Sequence, residues 1–187
     1  NIKVFYNGTS VEAELKTGEN TSSATFEAAV GTATDYYAVY PASETASMAD
    51  GVITVTLPAN QDGSFGAGHI AVAKAADKTF TFTNVNAFLK MTFASAKYTR
   101  IVVESVGGQA LAGDLTVTFA DGAAVIGSTY ANTSSTVEVT SDEAFAAGDL
   151  YISVLPGVTH TQGILVTCYN GAEKVGAYLV DKQVITE

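Results

Sequence analysis

Few side chains in this 187-residue protein have reactive potential: two histidines, one cysteine and a scatter of carboxylates and hydroxyls. His69 follows Gly66-Ala67-Gly68 and begins an apolar strand, while His160 sits in Thr159-His160-Thr161 after Pro156-Gly157, a loop context. Neither has a second histidine or a carboxylate at metal-ligand spacing, so both read as turn or surface residues. Cys168 alternates with Ile164 and Val166 along one strand. In that pattern it is a small buried apolar residue, with no basic neighbour to activate the thiol. A lone cysteine makes neither an internal disulfide nor a redox dithiol. Serine hydrolysis lacks its Gly-x-Ser-x-Gly elbow. Asp50, Asp62, Asp121 and Asp142-Glu143 fall in turn-like contexts, where Asp bonds its own backbone or faces water. No loop alternates Asp/Asn ligands ahead of a bidentate Glu, as an EF-hand calcium loop does. Gly107-Gly108 and Gly66-Ala67-Gly68 precede no helix that would offer its amides to a phosphate, and read as bends. The chain therefore reads as a non-enzyme with no cofactor and no metal.

The aromatic residues offer binding rather than reaction. There are nine Tyr, nine Phe and no Trp. In Asp35-Tyr36-Tyr37-Ala38-Val39-Tyr40-Pro41, alternation puts Tyr36 and Tyr40 on one side of a strand and Tyr37 with Val39 on the other. Stacked tyrosines can hold a glycan, which makes Tyr36 and Tyr40 the candidate contacts for a carbohydrate-binding module. Aromatic cross-strand packing explains the same residues and is the more frequent use. Nucleic acid is excluded on charge: 9 basic residues against 19 acidic ones give a formal charge of -10, with nothing to neutralise a phosphate backbone.

The elements that must position these groups are strands nearly throughout. Val11, Ala13 and Leu15 alternate with Glu12, Glu14 and Lys16, giving one dry and one wet face. The same grammar recurs at Phe26-Ala28-Val30, Ile53-Val55-Leu57 and Phe80-Phe82, and in the long inward set Val85, Ala87, Leu89, Met91 and Phe93. It continues at Leu115-Val117-Phe119, Val137-Val139 and Ile152-Val154, with Thr abundant on the outward faces. Asn7-Gly8, Asp121-Gly122 and Asn170-Gly171 lie between apolar runs and supply the positive φ angles of type I′ hairpin turns. The Ala-rich pieces at 71–76, 94–97 and 143–147 lack the length and the apolar stripe of a packed helix. The expected fold is all-β. About a dozen short strands exceed one seven-stranded sandwich, so either a single enlarged sandwich or two small tandem ones is implied, and two packed sandwiches are expected. The boundary is expected at Ala94-Ser95-Ala96-Lys97-Tyr98, giving domains 1–95 and 96–187.

The order of these segments resembles a known family, the fimbrillin-like (type V pilin-like) surface lipoproteins of Bacteroidetes. The resemblance runs through Thr25-Phe26-Glu27-Ala28, Tyr36-Tyr37-Ala38-Val39-Tyr40-Pro41 and Ile53-Thr54-Val55-Thr56-Leu57-Pro58 leading to Gln61. It continues in Ala71-Val72-Ala73-Lys74, Phe80-Thr81-Phe82-Thr83-Asn84-Val85 and Leu89-Lys90-Met91-Thr92-Phe93. Ala112-Gly113-Asp114-Leu115-Thr116-Val117 and Leu150-Tyr151-Ile152-Ser153-Val154-Leu155-Pro156-Gly157 complete it. The resemblance implies two tandem transthyretin-like β-sandwich domains in an exported protein of the outer membrane and cell surface, tethered by an N-terminal lipidated cysteine. It also implies a pilus or adhesion role, with other subunits joined by β-strand addition, or surface ligands including glycans as partners. Asn1-Ile2-Lys3-Val4-Phe5 reads as the start of a mature or trimmed form. The one arginine, Arg100, lies near the start of an expected strand rather than near the N-terminus, which leaves arginine-specific activation without a site.

Overall fold

The alternating runs do become strands, and their pairing partners are what the sequence leaves open. The computed structural model describes residues 1–64, 68–181 and 183–184. Gly66 and Ala67 of the bend expected at Gly66-Ala67-Gly68 lie outside them. The fold is all-β, with 56% strand and 1% helix. In chain order the strands are β1 (Ile2–Tyr6), β2 (Thr9–Thr17), β3 (Thr25–Glu27), β4 (Tyr36–Tyr40), β5 (Ser47–Ala49), β6 (Val52–Leu57), β7 (Asn60–Gln61), β8 (Ala71–Ala75), β9 (Thr83–Asn84) and β10 (Ala87–Phe93). They continue as β11 (Arg100–Ser105), β12 (Ala112–Ala120), β13 (Ala123–Ile126), β14 (Ala131–Ser134), β15 (Thr136–Thr140), β16 (Gly148–Val154), β17 (Thr159–His160), β18 (Ile164–Asn170), β19 (Glu173–Val180) and β20 (Gln183–Val184).

The chain forms two units, and each gathers three separate stretches. Unit 1 takes Asn1–Val55, His69–Val85 and Thr116–Gly127, and unit 2 takes Thr56–Gly68, Asn86–Leu115 and Ser128–Glu187. The division expected at 95/96 is therefore corrected, because that point falls within a stretch of unit 2. The reason is strand pairing. β10 finds its partner in β16, along the full register from Ala87↔Val154 to Phe93↔Gly148. The hairpin of β13 with the far half of β12 belongs with the N-terminal strands.

Unit 1 contains a six-stranded sheet in the order β3-β2-β1-β4-β8-β9. Its registers pair Ile2 with Ala13, Val4 with Ala38 and Ala38 with Ala73, so these residues share one face and form a buried cluster with Tyr36. The expected strand at Phe80-Phe82 is not one. Thr83–Asn84 alone pairs with β8, while Phe80 and Phe82 pack on the cluster together with Phe26, Ala28 and Val30. These rings gain more by covering a small-residue sheet face than a further strand would at its edge. On the sheet's other side, the Lys3 ammonium donates to the carbonyls of Ser43 and Ala46 at 3.1 and 2.8 Å and ties down the loop after β4. Replacing Lys3 with Met is expected to lower stability by about 1–2 kcal/mol, since half-buried carbonyls would lose a charged donor. A urea unfolding curve measures it.

In unit 2 a five-stranded sheet, β19-β18-β11-β15-β7, is faced by the two-stranded pair β10-β16. Ile101, Val103, Val137, Val139 and Ile164 of the larger sheet and Ile152 and Val154 of the smaller one are buried in a shared core. The hairpin turns behave as expected at Asn7-Gly8, with φ of 47° and 74°, and at Asp121-Gly122, with φ of 50° and 83°.

Candidate functional site

Among the described residues no three His, Cys, Asp or Glu side chains converge as a metal site. His69 Nε2 lies 2.5 Å from Asn84 Oδ1 in unit 1, and the His69 ring meets Tyr40 edge-on. His160 departs from expectation, because it is wholly buried rather than on a loop surface. Its Nδ1 lies 2.8 Å from Ser105 Oγ, which itself donates to Gln109 Oε1 at 2.8 Å. With that hydroxyl proton committed to Gln109, Nδ1–H is the donor to Ser105, and Nε2 has no partner among the described residues. Burial alone pushes the His160 imidazolium below the usual histidine range. The network joins β11, the loop after it and the 160–161 segment, and so is structural.

Tyr36 and Tyr40 do share a face, but they differ in use. Tyr36 is only 3% exposed, and its hydroxyl donates to Gly31 O at 2.8 Å and accepts from Ala33 N–H at 2.9 Å. Its ring is a packing element, which removes it as a glycan contact. Tyr40 is half-buried beside an apolar groove of unit 1.

The feature best suited to hold a partner is one that sequence reasoning missed, the incomplete small layer of unit 2. β10 forms because Ala87, Leu89, Met91 and Phe93 alternate with polar or outward residues, and it is zipped to β16 along one edge. The opposite edge of β16 is occupied at Ser153. Gln61 Nε2 donates to Ser153 O at 2.8 Å, and Ser153 N–H donates to Gln61 Oε1 at 3.0 Å. Gln61 belongs to β7, at one end of the five-stranded sheet, so β16 lies toward that end and the second edge of β10 looks toward β18 and β19. From Leu89 to Phe93 no strand among the described residues pairs with that edge.

The floor beside this edge carries the marks of a missing layer. Ile101, Val103, Val137 and Val139 are fully buried, whereas Leu89, Met91, Phe93, Val166 and Cys168 are only half-buried. The register of β18 with β19 puts Tyr178 beside Val166 and Gly176 beside Cys168, on the core-facing side. Tyr178 is nevertheless 71% exposed, and a side chain built at Gly176 would meet nothing within 4 Å. β19 is itself an edge strand, with Leu179 49% exposed on its other face. Partial burial pushes the Cys168 thiol pKa up, so it is not an activated nucleophile. An unpaired strand edge beside a strip of half-covered apolar side chains is suited to take up an extended segment: main-chain bonds to the edge, alternate side chains to the floor.

The alternation at Leu89-Met91-Phe93 was visible in the sequence; that only one side of this strand would be paired was not. Comparison with family models, with curated proteins and with solved structures gives no match for this chain.

Proposed function

We propose that this protein is a non-enzymatic cell-surface subunit or accessory module of the fimbrillin-like kind. On this reading it is exported, held at the outer membrane by a lipidated leader, and built of two transthyretin-like sandwich units. It engages another protein subunit by accepting a β-strand beside β10. One observation carries the reading: the edge of β10 from Leu89 to Phe93 has no strand partner among the described residues, above a floor where Val166 and Cys168 are half-covered and Gly176 faces open space. The net charge of -10 keeps such an edge from pairing indiscriminately with other copies, since like-charged chains repel.

Cys168 supplies the readout, being the only thiol. Peptides with alternating apolar residues are added, and the rate at which Cys168 reacts with a maleimide is followed. The expected outcome is a several-fold fall in labelling with a suitable peptide. Gly176 has an ordinary backbone conformation, so Gly176→Phe is expected to fill the lane, abolish the peptide effect and leave the urea midpoint nearly unchanged. Labelling unmoved by every peptide, or peptide uptake undiminished in Gly176→Phe, would overturn the assignment.

A further inference from the structure

Unit 1 has a groove of about 1170 Å³ on the sheet face opposite Lys3. Its floor is small or aliphatic, with Ile2, Val4, Ala13 and Ala71, all buried. Phe26 of the edge strand β3 lines one side, and Phe80 and Phe82, in the irregular segment before β9, line the other, with Ser and Thr residues of the 21–25 and 79–81 stretches beside them. The 19 acidic residues of the chain are absent from this lining. Its one charged side chain is Lys78, at a turn with φ of 68°. The Lys78 ammonium sits 5.1 Å from the centre of the Tyr36 ring and makes no ion pair among the described residues. The neighbouring Asp77 carboxylate instead accepts from Thr79 N–H at 3.0 Å. In a protein of net charge -10, a groove with an apolar floor, phenylalanines and hydroxyl side chains along its sides, no carboxylate and a single ammonium in its lining is complementary to one kind of ligand.

We propose that this groove binds an amphiphile with one apolar chain and an anionic head, the chain lying between Phe26 and the Phe80-Phe82 lip and the head at Lys78. The chain is recognised by displacement of water from the aromatic walls, and the head by a screened, solvent-facing charge. Charge therefore tunes affinity while the slot supplies most of it. A free fatty acid and an anionic lipid of a bilayer share this chemistry. The site is separate from the lane beside β10 and does not depend on strand uptake there.

The test uses dansylaminoundecanoic acid below its aggregation concentration, with its emission as the readout. Saturable enhancement is expected, reversed by palmitate and less well by hexadecanol. Lys78→Glu, at an exposed turn, is expected to weaken the acid roughly threefold or more and leave the alcohol unchanged. A circular dichroism spectrum like that of the parent protein confirms that the variant is folded. Phe82→Asp is expected to abolish both. Sedimentation with vesicles of phosphatidylglycerol against phosphatidylcholine distinguishes the sources: binding of the monomeric probe assigns a soluble acid, and Lys78-dependent binding to anionic vesicles alone assigns a membrane lipid. Absence of both, equal displacement by acid and alcohol, or displacement of the probe by strand peptides in preference to palmitate would overturn the proposal.

Discussion

Truncation of Ile101 to alanine is expected to destabilise the protein by about 2–5 kcal/mol, the range for removing a large aliphatic side chain from a site that cannot collapse around the void. Ile101 is 0% exposed and lies on the central strand β11, paired with Val139 on one side and Cys168 on the other. It lies in the core formed by both layers of unit 2. Against a total stability of about 5–15 kcal/mol, the loss would be large enough to leave part of the population unfolded. Leu179→Ala, on the exposed edge strand, is the comparison and should change stability by less than about 0.5 kcal/mol. Urea unfolding of the pair decides the matter. Comparable losses at the two sites would mean that β19 is covered in solution by something other than solvent.

Acidification from pH 7.5 to 5 is expected to lower the unfolding midpoint, with His160 as the main cause. The folded-state pKa is depressed by burial, so the unfolded chain binds the extra proton first. The stabilisation is therefore complete above the unfolded value near 6.5 and is lost as pH falls through the folded one, with a slope of at most about 1.4 kcal/mol per pH unit for one proton. The groups hydrogen-bonded in this network are neutral: Ser105 from β11, Gln109 from the loop that follows, and Thr161, which accepts from Gln109. The nearest acidic residue along β11, Glu104, is exposed, and no charge contributes to the His160 shift. A proton on Nε2 would have no acceptor among the described residues. His160→Gln keeps an amide able to donate to Ser105 and should flatten the profile over this window, which lies above the carboxylate range. A wild-type midpoint constant from pH 7.5 to 5 would show that the ring reaches solvent.

The fold class was legible because alternation reports which way each side chain faces. Ile53, Val55 and Leu57 are all buried, with half-buried Thr54 and Thr56 between them, just as the period of two requires. Pairing was not legible, because the same pattern suits any neighbour with a dry face. Nothing in Leu89-Met91-Phe93 names β16 as its partner, and so neither the division into units nor the open edge was foreseen. Phe80 and Phe82 show the opposite failure: alternating rings used as a cover rather than as a strand. His160 was misplaced because a Pro-Gly turn precedes it, while the burial comes from Ser105 and the loop after it. Tyr36 and Tyr40 were placed correctly on one face, but the hydroxyl contacts of Tyr36 with the 31–33 segment have no local signal.

The interleaving of segments also bears on how the chain is made. Synthesis proceeds from residue 1, yet unit 1 needs the stretch that ends at Gly127. The six-stranded sheet of unit 1 has all its strands once residue 84 has emerged, but β5 and the start of β6 must wait for the hairpin of β12 with β13, while residues 86–115 of the other unit emerge ahead of it. Long-range strand pairing of this sort is intrinsically slow and leaves edges unprotected in the interval. Nascent chains stalled before residue 116 should accordingly be far more sensitive to protease than those released whole.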